Sequence, residues 1–364
     1  MANTNHFEHF DVVVDTSDHF FAQAKKKIKR QNQSDQLGSP IEDCFTNARS
    51  DVYKRIMKEW KVLAHNLPES IYVRVYENRI DLLRAMIVGA AGTPYHDGLF
   101  FFDIAFPPDY PSLPPKVHYR SFGYKINPNL YTSGDVCLSL INTWRGKKNE
   151  KWDPSGSTIL QLLVSLQGLV LNDMPFFNEA GSEILGRGIF EKKAEAYNET
   201  VFILNCKTMM CIIQRPPRNF EGFVASHFRH QACAVLSACN DYVNGRVRIG
   251  YYTESDEGDL SRVRVSGKFK ESIRVLYPQL FAAFVKCGAT LENGAENLKM
   301  EKRDGSSKNS SDRKYRVVVR KVIGKIRKIY ASTLKTRAKF DINVIRGQAG
   351  NASHLHGNTS LQSS

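Results

Sequence analysis

A thiol that attacks an activated carbonyl needs an amide or similar donor close by to hydrogen-bond the oxyanion that develops. One stretch of this sequence supplies both residue types: Asn127-Pro128-Asn129-Leu130-Tyr131-Thr132-Ser133-Gly134-Asp135-Val136-Cys137-Leu138-Ser139-Leu140. Cys137 is the candidate nucleophile and Asn129 the candidate amide. Pro128 locks a turn between two asparagines, and Gly134-Asp135 marks a second turn just before the cysteine. Taken alone, Cys137 reads equally as a small buried hydrophobe, the usual fate of a free cysteine.

The elements around this stretch are legible from periodicity. Val52, Ile56, Trp60 and Leu63 recur at helical spacing, which predicts a helix over 43–67 that Pro68 stops. Strands are predicted at 71–77 and 80–90, joined at Asn78-Arg79, then at 99–106 and 116–119. The proline-rich segment 107–115 fits neither regular element. A buried helix follows over 155–171, with Ile159, Leu162, Leu163, Leu166, Leu169 and Val170 on one face and Ser155 or Ser157 as its cap. Helix, meander, loop and later helices make an α+β domain.

The formal charge of +14 is uneven: residues 291–364 hold 16 Lys and Arg against 6 Asp and Glu, so +10 of it lies there. Within 313–339 there are eleven basic residues and no acid, with apolar residues at three-to-four spacing. A solvated, flexible tail is the preferred account. Contact with nucleic acid or an anionic membrane is the less favoured alternative. The run Lys25-Lys26-Lys27-Ile28-Lys29-Arg30 reads as a solvated linker before a nuclear import signal. Seven cysteines at irregular spacing, with neither a signal-peptide pattern nor a long apolar run, predict reduced thiols and a cytoplasmic or nuclear protein. Cys206, Cys211, His227, His230, Cys233 and Cys239 miss zinc-finger spacing and are better read as helix-face residues. No nucleotide or metal motif is present.

The segment from Asn127 to Cys137 resembles the active-site segment of ubiquitin-conjugating enzymes. In that family the tripeptide is usually His-Pro-Asn and the cysteine follows its asparagine by eight positions, as Cys137 follows Asn129. Tyr95-His96-Asp97-Gly98-Leu99-Phe100, Phe106-Pro107-Pro108-Asp109-Tyr110-Pro111 with Pro114-Pro115-Lys116-Val117, and Trp152-Asp153-Pro154 are similar to further family motifs in the same order. The 145–151 insertion and the ending Pro175-Phe176-Phe177-Asn178-Glu179-Ala180-Gly181 resemble the large subclass, some of whose members combine conjugating enzyme and ligase, and the segments Glu191–Tyr242 and Phe10–Phe20 resemble its plant members most. There are four departures: Asn127 for the family histidine, Ser139 for a common aspartate, Ser112 where many members offer a phenylalanine to RING-type ligases, and the insertion itself.

The resemblance implies a ubiquitin-conjugating core with an N-terminal helix, a four-stranded antiparallel meander and C-terminal helices. The chain divides accordingly into an arm and linker at 1–44, the core at 45–185, a helical extension at 186–290 and a basic tail at 291–364. It implies that Cys137 accepts ubiquitin as a thioester from the activating enzyme and passes it to substrate lysines, with or without intrinsic ligase action. Asn129 would stabilise the oxyanion or the loop, Asn178 or Glu179 would gate or deprotonate the lysine, and Asn127 and Pro128 would be structural at the site. Implied partners are ubiquitin, its activating enzyme, a substrate protein and, in the ligase-dependent case, a separate ligase. No cofactor is implied, ATP being consumed by the activating enzyme. The competing readings are a catalytically silent binding module of the ubiquitin pathway and a conjugating enzyme for a ubiquitin-like modifier.

Overall fold

Ser50 accepts a hydrogen bond from the Tyr53 N–H at 3.0 Å and so opens helix α1 (Asp51–Asn66). The helix begins eight residues later than its periodicity predicts, because Asn47 draws the Arg49 and Ser50 amides into a turn of its own. Ile56 and Leu63 are buried on its inner face. Strands β2 (Ile71–Tyr76), β3 (Leu82–Val88), β4 (Leu99–Ala105) and β5 (Lys116–Tyr119) form the expected antiparallel meander. A fifth strand, β1 (Phe10–Val13), pairs in parallel with β2, Phe10 opposite Val73 and Val13 opposite Tyr76, so the sheet is mixed. The computed structural model describes residues 7–23, 44–179, 187–245, 247–250 and 265–291. The basic stretches at 25–30 and 313–339 lie outside the described residues.

Inward-facing Val73, Val75, Leu83, Ala85, Ile87, Phe100, Phe102 and Ile104 pack with α1 and with helix α2 (Ile159–Ser165) into one core. Glu59, only 1% exposed, ties these helices together. Its carboxylate accepts from the Ile159 N–H at the start of α2 and from the Tyr110 hydroxyl of the proline-rich turn, and Arg55 neutralises it. Thr158, rather than Ser155 or Ser157, caps α2; both serines are engaged with Asp153. After Ser165 the chain widens into a π-turn, Leu166–Val170, in which the Leu171 amide bonds back to Leu166. The wider turn carries Val170 to the core and leaves Leu169 62% exposed, where a regular helix would have buried both.

The outer face of the sheet is buried as well, and it carries charge. Arg84 on β3 is fully buried and forms two hydrogen bonds with Asp103 on β4 and two with Asp18 of the N-terminal arm, one to its carboxylate and one to its carbonyl. Asp18 also meets Arg120, the Phe20 amide donates to Asp103, and His19 bonds to the Leu83 carbonyl. Helices α3 (Arg187–Gln214) and α4 (Glu221–Asn244) break at Pro216-Pro217, and that corner lies over the arm. The Arg218 amide donates to Asp18, Asn219 donates to the Asp15 carbonyl, and Phe7 sits among Tyr72, Phe220 and Phe223 under the Arg74 guanidinium, 4.1 Å from its ring centre. Helix α5 (Gly267–Lys286), capped by Ser266, packs on α3 and α4.

Burial, the largest single effect, pushes the Asp18 and Asp103 carboxyls up, but the charge of Arg84 and the hydrogen bonds each carboxylate accepts together outweigh it and hold both below the usual carboxylate range. Their stabilisation is therefore complete above the unfolded-chain value of about 4 and is lost as the pH falls through the lower folded value. In urea unfolding, Asp103→Asn should cost about 3 kcal/mol at pH 7, the scale of a broken buried ion pair. Its stability should also decline less steeply than that of the parent chain between about pH 4 and pH 2. Parallel stability–pH curves would remove Asp103 from this role.

Candidate active site

The spacing of Asn129 and Cys137 is a hairpin register. Leu130 pairs with Val136, the Tyr131 amide donates to the Asp135 carbonyl, and the Cys137 amide donates to the Asn129 carbonyl at 2.9 Å. Residues whose numbers sum alike face each other, so a separation of eight puts Asn129 directly across from Cys137. At the tip, Gly134 adopts φ +94°, and a Cβ there would lie 2.0 Å from the His118 ring, which Phe20 stacks from the other side. At the base, Pro128 occupies the second position of a turn closed by the Leu130 amide on the Asn127 carbonyl, where its fixed φ fits.

Asn127 is fully buried and uses its whole amide. Its Nδ2 donates to the Tyr95 hydroxyl at 2.8 Å and to the Val170 carbonyl at 2.6 Å; its Oδ1 accepts from the Asn129 amide at 2.9 Å and from Asn178 at 3.4 Å. A histidine has one donor and one acceptor when neutral, so the asparagine joins more elements than the residue it replaces. Tyr95 in turn donates to the Ile126 carbonyl. The Asn129 side chain donates to the Cys137 carbonyl at 2.8 Å, and its Oδ1 is buried without a hydrogen-bond partner among the described residues. In this arrangement the amide supports the loop, with one Nδ2 hydrogen left over.

Cys137 is half-buried, and the Tyr131 side chain lies close to it. The neighbouring Cys137, then burial and the negative charge of Glu179, push the tyrosine pKa up. The Lys125 ammonium lies over the Tyr131 ring, 5.1 Å from its centre. Glu179 is exposed at the end of a short 3-10 turn, Pro175–Asn178, whereas Asn178 is built into the scaffold: it donates to Val170 and Asn127 and accepts from Asn172. Thr143 clasps the segment after the thiol, donating to Val136 and accepting from the Leu138 amide. The Ser139 hydroxyl donates to the Arg145 carbonyl at 3.2 Å and so fastens the insertion, whose Lys147 amide is bonded to Glu150. An ionised aspartate at 139 could not donate that bond. Ser139 and the insertion therefore belong together.

The structure thus brings Asn127, Pro128, Asn129 and Cys137 into one loop and places Asn178 and Glu179 at its border. Sequence reasoning missed Tyr131, Thr143 and Tyr95. Tyr131 was accessible from alternation, since it lies two residues from Asn129 on the same hairpin face. Among the other candidates, Cys206 and Cys239 are buried against each other between α3 and α4, and His227 donates to the Asp97 carbonyl. No helix among the described residues is long and apolar enough to cross a membrane.

Residues 55–203 match the ubiquitin-conjugating enzyme family. The chain is 42% identical over 313 residues to a protein named putative ubiquitin-conjugating enzyme E2 38 of Arabidopsis thaliana, covering 85% of this chain and 90% of that one. It is 46% identical over 288 residues to probable ubiquitin-conjugating enzyme E2 23 of the same plant, covering 78% of this chain and 24% of that one. Over 199 residues it is 37% identical to the human protein named dual E2 ubiquitin-conjugating enzyme/E3 ubiquitin-protein ligase BIRC6, covering 52% of this chain and 4% of that one. Against three of its plant relatives the chain spans 24%, 30% and 54% of their length. The five-stranded α+β core, the Asn129–Cys137 hairpin and these alignments agree: the chain belongs to the ubiquitin-conjugating enzyme family.

Proposed function

We propose that this protein carries ubiquitin as a thioester on Cys137 and transfers it to lysine amines. The observation that carries the reading is the hairpin register that sets the Asn129 amide and the Tyr131 hydroxyl beside a single half-buried thiol. In charging, the Cys137 thiolate attacks the thioester carbonyl offered by the activating enzyme. The new C–S bond forms, the old one breaks, and the departing sulfur leaves as thiolate. In transfer, the lysine nitrogen attacks, a C–N bond forms, the Cys137 thiolate leaves, and the ammonium proton passes to a base. Glu179, exposed and close enough to act on Tyr131, is the base we assign. Asn178 keeps the scaffold, and the free Nδ2 hydrogen of Asn129 supports the oxyanion once the loop adjusts.

A built-in ligase action is a finer reading. It draws on the relative named as a dual enzyme and on Ser112, which stands where an apolar docking residue would, beside an exposed Leu113. A reducing, cytoplasmic or nuclear setting is likewise proposed, on the ground that all seven cysteines are free.

Incubation with activating enzyme, ubiquitin and ATP should give a reductant-labile adduct that Cys137→Ala abolishes. No adduct with a competent activating enzyme would sink the reading and leave a silent binding module. Charging by a ubiquitin-like protein instead would reassign the modifier. Asn129→Ala should still charge, but discharge to free lysine roughly 10²-fold to 10³-fold more slowly, as for loss of an oxyanion donor. Glu179→Gln should leave charging intact and slow discharge by at least about 10²-fold; parental discharge by this variant would strip Glu179 of its role.

A further inference from the structure

The turn Pro94–Gly98 is gripped by the helical extension through polar contacts, most of them fully buried. Asn205 of α3, fully buried, donates its Nδ2 to the Pro94 carbonyl at 3.3 Å and to the His96 carbonyl at 3.2 Å. His227 of α4 donates to the Asp97 carbonyl at 2.9 Å. His96, also fully buried, has its Nδ1 3.0 Å from the Asp97 carboxylate and its Nε2 2.9 Å from the Tyr242 hydroxyl of α4. The Gly250 amide donates to that same hydroxyl at 2.9 Å. One proton arrangement satisfies the chain from Gly250 to Asp97: Gly250 N–H to Tyr242, Tyr242 O–H to His96 Nε2, and His96 Nδ1–H to Asp97, while the Asn205 Oδ1 is buried without a hydrogen-bond partner among the described residues. Phe202 of α3 stacks on the His96 ring, and Gly98 comes so close to Asn205 that a Cβ would lie 2.2 Å from its Oδ1.

Apolar side chains would hold two helices against a turn without burying hydrogen-bonding groups that must all be paired. What a polar grip adds is orientation. The residue it orients is Tyr95, between the two carbonyls that Asn205 holds, and the Tyr95 hydroxyl accepts from Asn127 and donates to Ile126. Asn127 in turn fixes the Asn129 amide across from Cys137.

We propose that the extension is a positioning part of the active site: Tyr242 and Asn205, acting through the His96 turn and Tyr95, set Asn127 and thereby the Asn129–Cys137 hairpin. This rests on the thioester reading above. Neither residue touches the thiol; both are positioning residues.

The test uses the full chain with Tyr242→Phe, which keeps the ring and removes the hydroxyl. Charging should reach the parental extent. Single-turnover discharge of the preformed thioester to free lysine should slow roughly fivefold to tenfold, the scale of one buried hydrogen bond. The side-chain amide resonances of Asn127 should shift, a change that loosening of distant helices would not produce. The double variant Tyr95→Phe/Tyr242→Phe should discharge no more slowly than Tyr95→Phe alone, because both act on one relay. A folded Tyr242→Phe with parental discharge and unmoved Asn127 resonances would overturn the proposal, as would effects that add to those of Tyr95→Phe. Should Tyr242→Phe fail to fold, Asn205→Asp, isosteric but no longer a donor, carries the same expectations and the same refutation. Failure of the parent chain to charge would reject the thioester reading instead, while the Asn127 resonances would still report on the positioning.

Discussion

A single buried amide, that of Asn127, holds the site together. Its four hydrogen bonds run to four different pieces of chain: the Tyr95 turn, the end of the π-turn at Val170, the Asn129 backbone and the short turn at Asn178. None of these is a neighbour in sequence except Asn129. Buried polar groups that are fully paired specify one geometry, because any displacement strands several of them at once. The hairpin bearing Cys137 is short and, as an isolated two-stranded unit, would be marginal in water. Asn127 gives it a fixed base, and Gly134 against His118 gives it a fixed tip.

Over β2, β3 and β4 the sheet behind the site is covered on both faces. Its inner side follows the usual rule of apolar burial against helices. Its outer side buries Arg74, Arg84 and Asp103, which become tolerable only because the arm and the α3–α4 corner supply partners for them. A buried ion pair adds little net stability by itself and destabilises strongly when one partner is lost. The arm and the extension are therefore required by the charges on the sheet, and those charges select this one way of covering it.

Local patterns were legible in the sequence and non-local ones were not. Helix α1, the four-stranded meander and the Asn129–Cys137 pair follow from spacing within a few tens of residues. Strand β1 escaped because it pairs in parallel with residues some sixty positions away, and four residues carry too little periodicity to announce a partner. The cap of α2 and the exposure of Leu169 escaped because competing turn bonds at Asp153 and a π-turn shift the register after the apolar pattern has ended. Asn127 was recognised as structural, but its four partners come from folding alone. Tyr95 looked like a motif residue of a turn and gave no sign that its hydroxyl would reach the site.

The interleaving of arm and extension imposes an order on biosynthesis. Asp18 and the Arg218 amide that seals it are 200 positions apart. At translation rates of about 5–20 residues per second, roughly 10–40 s pass between the making of the two. Throughout that interval Phe7 lacks the Phe220 and Phe223 rings that cover it, and Asp18 lacks the Arg218 amide. The α+β core is thus assembled while part of its outer sheet face is still open, and the last native contacts of the arm form only after the Pro216-Pro217 corner has emerged. A nascent chain of this design spends longer within reach of chaperones, and of wrong strand partners, than its length alone would require.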